Sequence, residues 1–224
     1  MNRTRGPVVA IDGPAGAGKS TVARAVAARL EVPHLDTGAM YRSITLAVLD
    51  AGADPSDAAA ATEAARSASI EVGESRVLVD GVDVTAEIRG PEVTAAVSAV
   101  SAHPGVREEL VRHQREWVTQ QGAGVLEGRD IGTVVLPDAD LKVYLTATAR
   151  TRAVRRMGET AGEDDLERVI ADIERRDELD SNREHSPLRP ADDAEVVWTD
   201  GLDVDGVVAE ILALVPDGGY GPRP

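Results

Sequence analysis

The chain has no cysteine, which excludes a disulfide framework and any thiolate metal site, so its chemistry does not tie it to a redox compartment. Aromatic residues make up only 2% of it, so the interior has to be built from Val, Leu, Ile and Ala. Lysine is nearly absent: 22 of the 24 basic residues are Arg, and the two lysines are Lys19 and Lys142. No uninterrupted apolar run approaches the ~20 residues of a membrane-spanning helix. Met1 to Gly6 is polar and too short for a signal peptide, and a cytoplasmic protein is the expectation. Positive charge is also outweighed, 24 basic residues against 39 acidic for a net charge of −15. Phosphate backbones are held by basic surfaces, so neither a nucleic-acid polymer nor a membrane is an expected partner. Small anions can still bind where Arg is locally concentrated.

What is present reads as an α/β protein. At 224 residues and 42% hydrophobic, the chain can bury one sizeable core, with room for a small inserted subdomain. Residues 8–12 (VVAID) form an apolar run that ends in a Gly-rich turn, the pattern of a buried parallel strand. Residues 19–30 carry Val22, Val26 and Leu30 four apart, as an amphipathic helix does. Further strand candidates are 124–127, 141–145 and 195–199, separated by helical patterns at 104–121, 164–180 and 205–214. Strands alternating with helices predict a central parallel sheet. Residues 69–84 break the rhythm with short alternating strands and Asp80-Gly81, a tight-turn dipeptide. An antiparallel insert over about 54–91 is the simplest reading. Residues 217–224 read as a frayed Gly/Pro-rich tail.

The strongest motif is Gly13-Pro14-Ala15-Gly16-Ala17-Gly18-Lys19-Ser20, which fits G-x-x-x-x-G-K-[ST] at every fixed position, after a strand and before a helix. Glycines let successive backbone N–H groups point into one concavity that holds phosphate oxygens. The positive end of the following helix adds to that field. Lys19 is suited to the β- and γ-phosphates and the Ser20 hydroxyl to Mg²⁺; Thr21 completes the ATP-binding segment. A phosphate loop alone does not separate a kinase from a GTPase or a motor. Asp203-Val-Asp-Gly206 matches the DxxG of GTPases formally, but it opens the terminal helix, where Asp is an ordinary N-cap, and no NKxD occurs. The chain is also small for a motor, so a kinase is the leading reading.

Three further clusters suit a phosphorylated acceptor, each beside a plainer alternative. Asp36, Thr37 and Arg42 follow the short strand candidate His34-Leu35; the alternative is an N-cap and a solvated Arg. Arg129 and Asp130 end an apolar strand, where ligands collect in open α/β sheets. Arg150, Arg152, Arg155 and Arg156, with Arg175, Arg176 and Arg183, could pair with the acidic helix around 163–174. They could equally form a lid over triphosphate charge. Arg176, Asp180 and Arg183 share one face if the helix runs that far.

Taken together, IDGPAGAGKST, LDTGAMYR, DVTAEIR, VREELVRHQR, GRDIGTVVLPDADLKVYL, RAVRRM and RRDELDSNREHSPLRPADDA resemble the bacterial cytidylate (CMP/dCMP) kinase family, from Val8 to Leu214. DVTAEIR weighs most, because it belongs to a pyrimidine-monophosphate insert that adenylate kinases lack. The resemblance implies a three-layer P-loop fold with a five-stranded parallel sheet, a small antiparallel NMP-binding insert and a short helical lid. Its segments would be a core at 7–53, the insert at 54–91, the rest of the core at 92–216 with a lid at about 150–165, and the tail. It implies ATP and Mg²⁺, with CMP or dCMP as acceptor, and a monomer is expected. Lys19, Arg129, Arg152 and Arg156 are the implied catalytic cations. Arg42, Arg129 and Arg183 look like the clamp on the CMP phosphate, with Asp36 and Thr37 beside it. Ser98, Arg107 and Asp130 look like the cytosine readers, and Arg176 and Asp180 like the ribose contacts. A carboxylate such as Asp130 can accept from the cytosine amino group but would face a carbonyl oxygen in uracil, so UMP should be the poorer acceptor. The rivals are a P-loop kinase for UMP, AMP or a metabolite, and a module that binds nucleotide without transferring phosphate.

Overall fold

The protein is described by a computed structural model over residues 6–159, 165–183 and 186–218. Residues 160–164 of the expected lid, 184–185 of the RRDELDSNREHSPLRPADDA segment and 219–224 of the expected tail lie outside the described residues. Two compact units are formed, one by 1–34 with 118–224 and one by 35–117.

The first unit is organised by a parallel sheet. The strands are β1 (Val8–Asp12), β2 (His34–Asp36, of which only His34 is counted in this unit), β6 (Gly124–Gly128), β7 (Leu141–Thr146) and β8 (Glu195–Trp198), in the order β2-β6-β1-β7-β8. β1 is central, and Asp12 lies opposite Gly128 on one side and Tyr144 on the other. The carboxyl ends of β1, β6 and β7 therefore stop at one edge, the edge at which open α/β sheets bind ligands. β1 is buried at all five positions, as a strand covered on both faces must be, which explains its unbroken apolar run. Helices α1 (Lys19–Leu30) and α8 (Val204–Leu214) pack on the sheet. Val22 and Val26 of α1 and Val208 and Ile211 of α8 close a core with Ile11 and Leu145. Each such fully buried side chain contributes about 1.5–3 kcal/mol. The Asp203 carboxylate accepts the Gly206 N–H at 2.8 Å, so the DxxG match is a helix cap. Helices α6 (Ala149–Glu159) and α7 (Leu166–Ser181) pack through a separate cluster of Ala153, Val169 and Ile173.

The second unit carries α2 (Thr37–Asp50), α3 (Ala58–Ser67), α4 (Pro91–Val100) and most of α5 (Pro104–Gln121) around the antiparallel sheet. That sheet has three strands, β3 (Ile70–Val72), β4 (Val77–Val79) and β5 (Val82–Asp83). Between β4 and β5, Asp80 and Gly81 have φ of 50° and 79°. Two successive left-handed residues are what a two-residue type I′ hairpin requires. Ile88, in the 3₁₀ turn Glu87–Arg89, is fully buried with Val77, Val84 and Ala39.

Candidate phosphoryl-transfer site

The phosphate loop leaves β1 at Gly13 and enters α1 at Lys19. Gly13 has φ +151°, and a Cβ there would stand 2.0 Å from the Leu145 carbonyl oxygen; only glycine lets β7 lie this close. Gly18, at φ 88°, caps α1 without a side-chain bond, at the helix end whose N–H groups and dipole suit an anion. Lys19 Nζ donates to the Pro14 carbonyl at 2.8 Å, which keeps the ammonium across the loop.

Glu127 escaped the reading of the sequence. It is the one charged residue of the wholly buried strand β6, and its Oε2 accepts the Ser20 hydroxyl at 2.8 Å. Its Oε1 lies 3.1 Å from His34 Nε2 on β2. The available signal was a carboxylate ending an otherwise apolar strand, next to Gly128-Arg129-Asp130. Asp12 was missed as well. Its buried carboxylate accepts the N–H groups of Ile131 and Gly132, both at 2.7 Å. These residues open the π turn Ile131–Val135, so the turn that follows Arg129 and Asp130 is fastened to the strand that precedes the phosphate loop. Burial pushes the Asp12 carboxyl up from 3.8 to about 6, despite those two bonds and the nearby Lys19 charge, which act the other way.

Arg129 is fixed twice. Its Nη1 donates to the Gly13 carbonyl at 3.1 Å and its Nε to Asp180 Oδ2 at 3.0 Å. Asp180 is buried and also takes Arg183 Nη2 at 2.6 Å. α7 ends at Ser181, so Arg183 reaches this pair from just beyond the helix rather than along a continuous helical face. Arg176 is half-buried one turn before Asp180. Asp130 is buried, with its carbonyl accepting the Val134 and Val135 N–H groups.

The arginines of α6 also divide. Arg152 is buried, pairs with Asp177, and donates to the Ala15 carbonyl of the phosphate loop at 3.2 Å and to the Ala147 carbonyl at 3.0 Å. Arg155 reaches the Ala17 carbonyl at 3.4 Å and Thr199 Oγ1 at 2.7 Å. Arg156 is half-buried and Arg150 exposed. Two of these side chains are thus clasped to the loop backbone, and Arg152 takes its acidic partner from Asp177, beyond the 163–174 segment.

In the second unit, Asp36 caps α2 by accepting the Ala39 N–H at 3.0 Å, and Thr37 is buried behind it. Arg42 is not a solvated side chain, since its Nη1 donates to the Ile88 carbonyl and to Thr94 Oγ1, each at 3.0 Å. Arg107 is buried, with its guanidinium 5.5 Å from the centre of the Tyr41 ring and a bond to the Ser101 carbonyl at 3.4 Å. Cation–π contact of this kind attracts a guanidinium to the ring face. Ser98 is half-buried on α4.

The chain is similar over most of its length to cytidylate kinases. The cytidylate kinase of Rhodococcus opacus is 52% identical over 217 residues, 94% of this chain and 95% of its own. That of Corynebacterium glutamicum is 53% identical over 217 residues, 94% of each chain. Among solved structures, the shikimate kinase of Bacteroides thetaiotaomicron superposes with a TM-score of 0.50 at 14% identity, over 93% of this chain and 97% of its own, a likeness of fold alone. The cytidylate kinase family model matches residues 9–217, and the chain belongs to that family.

Proposed function

We propose that the protein transfers the γ-phosphoryl group of ATP to CMP or dCMP, giving ADP with CDP or dCDP. A phosphate oxygen of the acceptor attacks the γ-phosphorus in line, the bond from that phosphorus to the β,γ-bridging oxygen breaks, and ADP leaves with the electron pair. The acceptor phosphate is largely ionised at neutral pH, its second pKa being about 6, so no general base is needed. What remains for the protein is positioning and neutralisation of charge.

The observation that carries this reading is the bond from Arg129 to the Gly13 carbonyl. An anion held by that guanidinium would lie beside the start of the loop that cradles ATP, which is where an acceptor phosphate is needed. Lys19 and the clasped Arg152 then serve the charge of the transferring group, with Arg156 beside Arg152 on α6. Arg129, Arg183 and Arg42 serve the acceptor phosphate. Ser98, Arg107 and Asp130 are assigned to the base, Arg176 and Asp180 to the ribose, and Asp36 and Thr37 to the start of the acceptor segment. The segment boundaries at 54–91 and about 150–165 are kept as functional assignments, to an acceptor insert and a lid.

The residues present fit a magnesium ion arriving with ATP. Ser20 Oγ and Glu127 Oε2 offer two oxygen donors 2.8 Å apart, and Mg²⁺ is commonly bound by one or two protein oxygens together with phosphates and water. Bound there, the ion would neutralise charge on the β- and γ-phosphate oxygens. Ser20 donates its only hydroxyl hydrogen to Glu127, which leaves the lone pairs of Oγ for a cation. No helix among the described residues is long and apolar enough to cross a membrane, and we assign the enzyme to the cytoplasm as a monomer.

The test is ADP release with MgATP and CMP, dCMP, UMP or AMP offered separately. Strong turnover with CMP and dCMP, weak turnover with UMP and none with AMP is expected. Turnover with none of the four would refute the acceptor assignment.

A further inference from the structure

We propose that Asp200 is a positioning residue for the arginines of α6, holding the start of that helix so that Arg152 and Arg155 stand at the carbonyls of the phosphate loop. The inference rests on the ATP-dependent reading above and concerns the carboxyl end of β8, away from the residues assigned to the acceptor.

The geometry comes from two neighbouring residues just beyond β8. Thr199 is buried, and its N–H and hydroxyl both donate to the Thr146 carbonyl at the end of β7, at 2.9 and 3.2 Å. Its own carbonyl and hydroxyl oxygens accept Arg155 Nη2 and Nη1 at 2.9 and 2.7 Å. Asp200 meets the same helix one turn earlier. Its Oδ1 accepts the Thr151 hydroxyl at 2.6 Å and the Thr148 hydroxyl at 2.8 Å, and its Oδ2 accepts the Thr148 N–H at 3.0 Å. Bonds from Thr151 and Thr148 hold the Asp200 carboxyl below its ordinary range, so at neutral pH it is an ionised group that only accepts. Thr148 stands immediately before Ala149, where α6 opens, and Thr151 lies in its first turn.

This matters because of how α6 is seated. It packs on α7 through a small apolar cluster of Ala153, Val169 and Ile173. Apolar burial is non-directional, so it does little to set how far a helix slides along its axis or turns about it. Directional bonds at the helix start set both. Arg152 is the residue after Thr151, and Arg155 lies one turn further on, so both guanidinium groups follow the turn that Asp200 holds. Arg152 Nη1 is 3.2 Å from the Ala15 carbonyl and Arg155 Nη1 is 3.4 Å from the Ala17 carbonyl. The second of these is already long, N–H···O bonds being typically about 2.7–3.2 Å. A small slide of α6 would therefore change which loop carbonyls the arginines meet, and a misplacement of about 1 Å can cost up to about 10²-fold in turnover.

The experiment compares the full chain with Asp200→Ala, which removes the acceptor, and with Thr151→Val and Thr151→Ser, which remove and keep the hydroxyl facing it. The double variant Asp200→Ala with Thr151→Val closes the cycle. Turnover is measured with MgATP varied at saturating CMP and with CMP varied at saturating MgATP, at a temperature where circular dichroism shows each protein folded. Asp200→Ala should lower kcat/KM for ATP roughly tenfold while KM for CMP stays within about twofold of the parent. Thr151→Val should lower kcat/KM for ATP roughly threefold in the parent, and Thr151→Ser by less than about 1.5-fold. Added to Asp200→Ala, Thr151→Val should cost less than about 1.5-fold more, because the acceptor of that hydroxyl is already gone. Fully multiplicative losses overturn the proposal, since Asp200 and Thr151 would then act separately. An unchanged kcat/KM for ATP in Asp200→Ala overturns it too, as does an equal rise in KM for CMP, which would mark a general loosening of the fold. Should Asp200→Ala fail to fold, Thr151→Val and Thr151→Ser decide alone, and equal values in the two overturn the proposal. If the parent releases no ADP with CMP, the acceptor reading falls and this inference with it. A parent that turns over normally, with unaffected variants, removes the role of Asp200 alone.

Discussion

Asp12→Asn isolates the electrostatic cost of fastening the turn Ile131–Val135 to the strand that precedes the phosphate loop. The Asp12 carboxyl is 4% exposed, and burial raises its pKa from 3.8 to about 6. Because the folded state holds this proton more tightly than the unfolded chain, stability from this group is fully present below 3.8 and is lost as the pH rises through 6. The shift corresponds to about 3 kcal/mol in all, of which about 2 kcal/mol falls between pH 4.5 and 7. Asn keeps the shape and removes the titration. It can accept one of the two N–H bonds, from Ile131 or Gly132, while its amino group confronts the other, a constant loss on the order of 1–3 kcal/mol. The absolute difference at one pH therefore mixes two opposed effects, whereas its slope with pH reports the buried charge. Asp54, Asp83, Asp193 and Asp200 have their pKa values lowered by hydrogen bonds and act in the opposite sense, but they are common to both proteins and cancel. Urea unfolding followed by circular dichroism, at intervals from pH 4.5 to 7, should show the parent losing its advantage over Asp12→Asn by about 2 kcal/mol. A difference constant to within about 0.5 kcal/mol would refute the reasoning, since it would mean that burial does not burden this carboxylate.

Lys19→Ala removes the ammonium bonded across the loop and should nearly abolish turnover; activity within about tenfold of the parent would remove Lys19 from the transfer step. Asp130→Ala should lower the preference for CMP over UMP by roughly 10-fold or more while changing ATP binding little, as the ratio of kcat/KM for the two acceptors would show. An unchanged ratio would count against Asp130 as a base reader. Gly13→Ala forces a Cβ against the Leu145 carbonyl oxygen at 2.0 Å and should cost at least ~3 kcal/mol in urea unfolding. A loss under about 1 kcal/mol would show that β7 can retreat from the loop.

Much of this protein is local in sequence. Residues 8–30 state their own structure, because an unbroken apolar strand, a glycine-rich turn and a helix with Val22 and Val26 four apart follow one another without a gap. Asp80-Gly81 states its hairpin for the same reason, since both residues tolerate the left-handed backbone the turn needs. Local sequence says less wherever a side chain's partner is remote. The motif marks Ser20 as a candidate metal ligand, but its partner Glu127, 107 positions away, carries no motif that names it. Arg152 stands in its own stretch as one of several helical arginines, and nothing local names its bond to the Ala15 carbonyl, 137 positions away. The acidic partner of Arg152 was sought along 163–174 and found at Asp177, because side chains on packed helices meet by geometry rather than by nearness in the chain.

The sequence by itself determined the α/β class, the phosphate loop and the family, since each rests on short-range pattern: hydrophobic period, turn chemistry and contiguous motif. Only the tertiary structure decided which strands flank β1, and with that order came the two-sided hold on Glu127 and the double anchoring of Arg129. Parallel strands are joined by long crossovers, so their lateral order is set by how helices and side chains pack, a property of the whole chain that no local stretch contains.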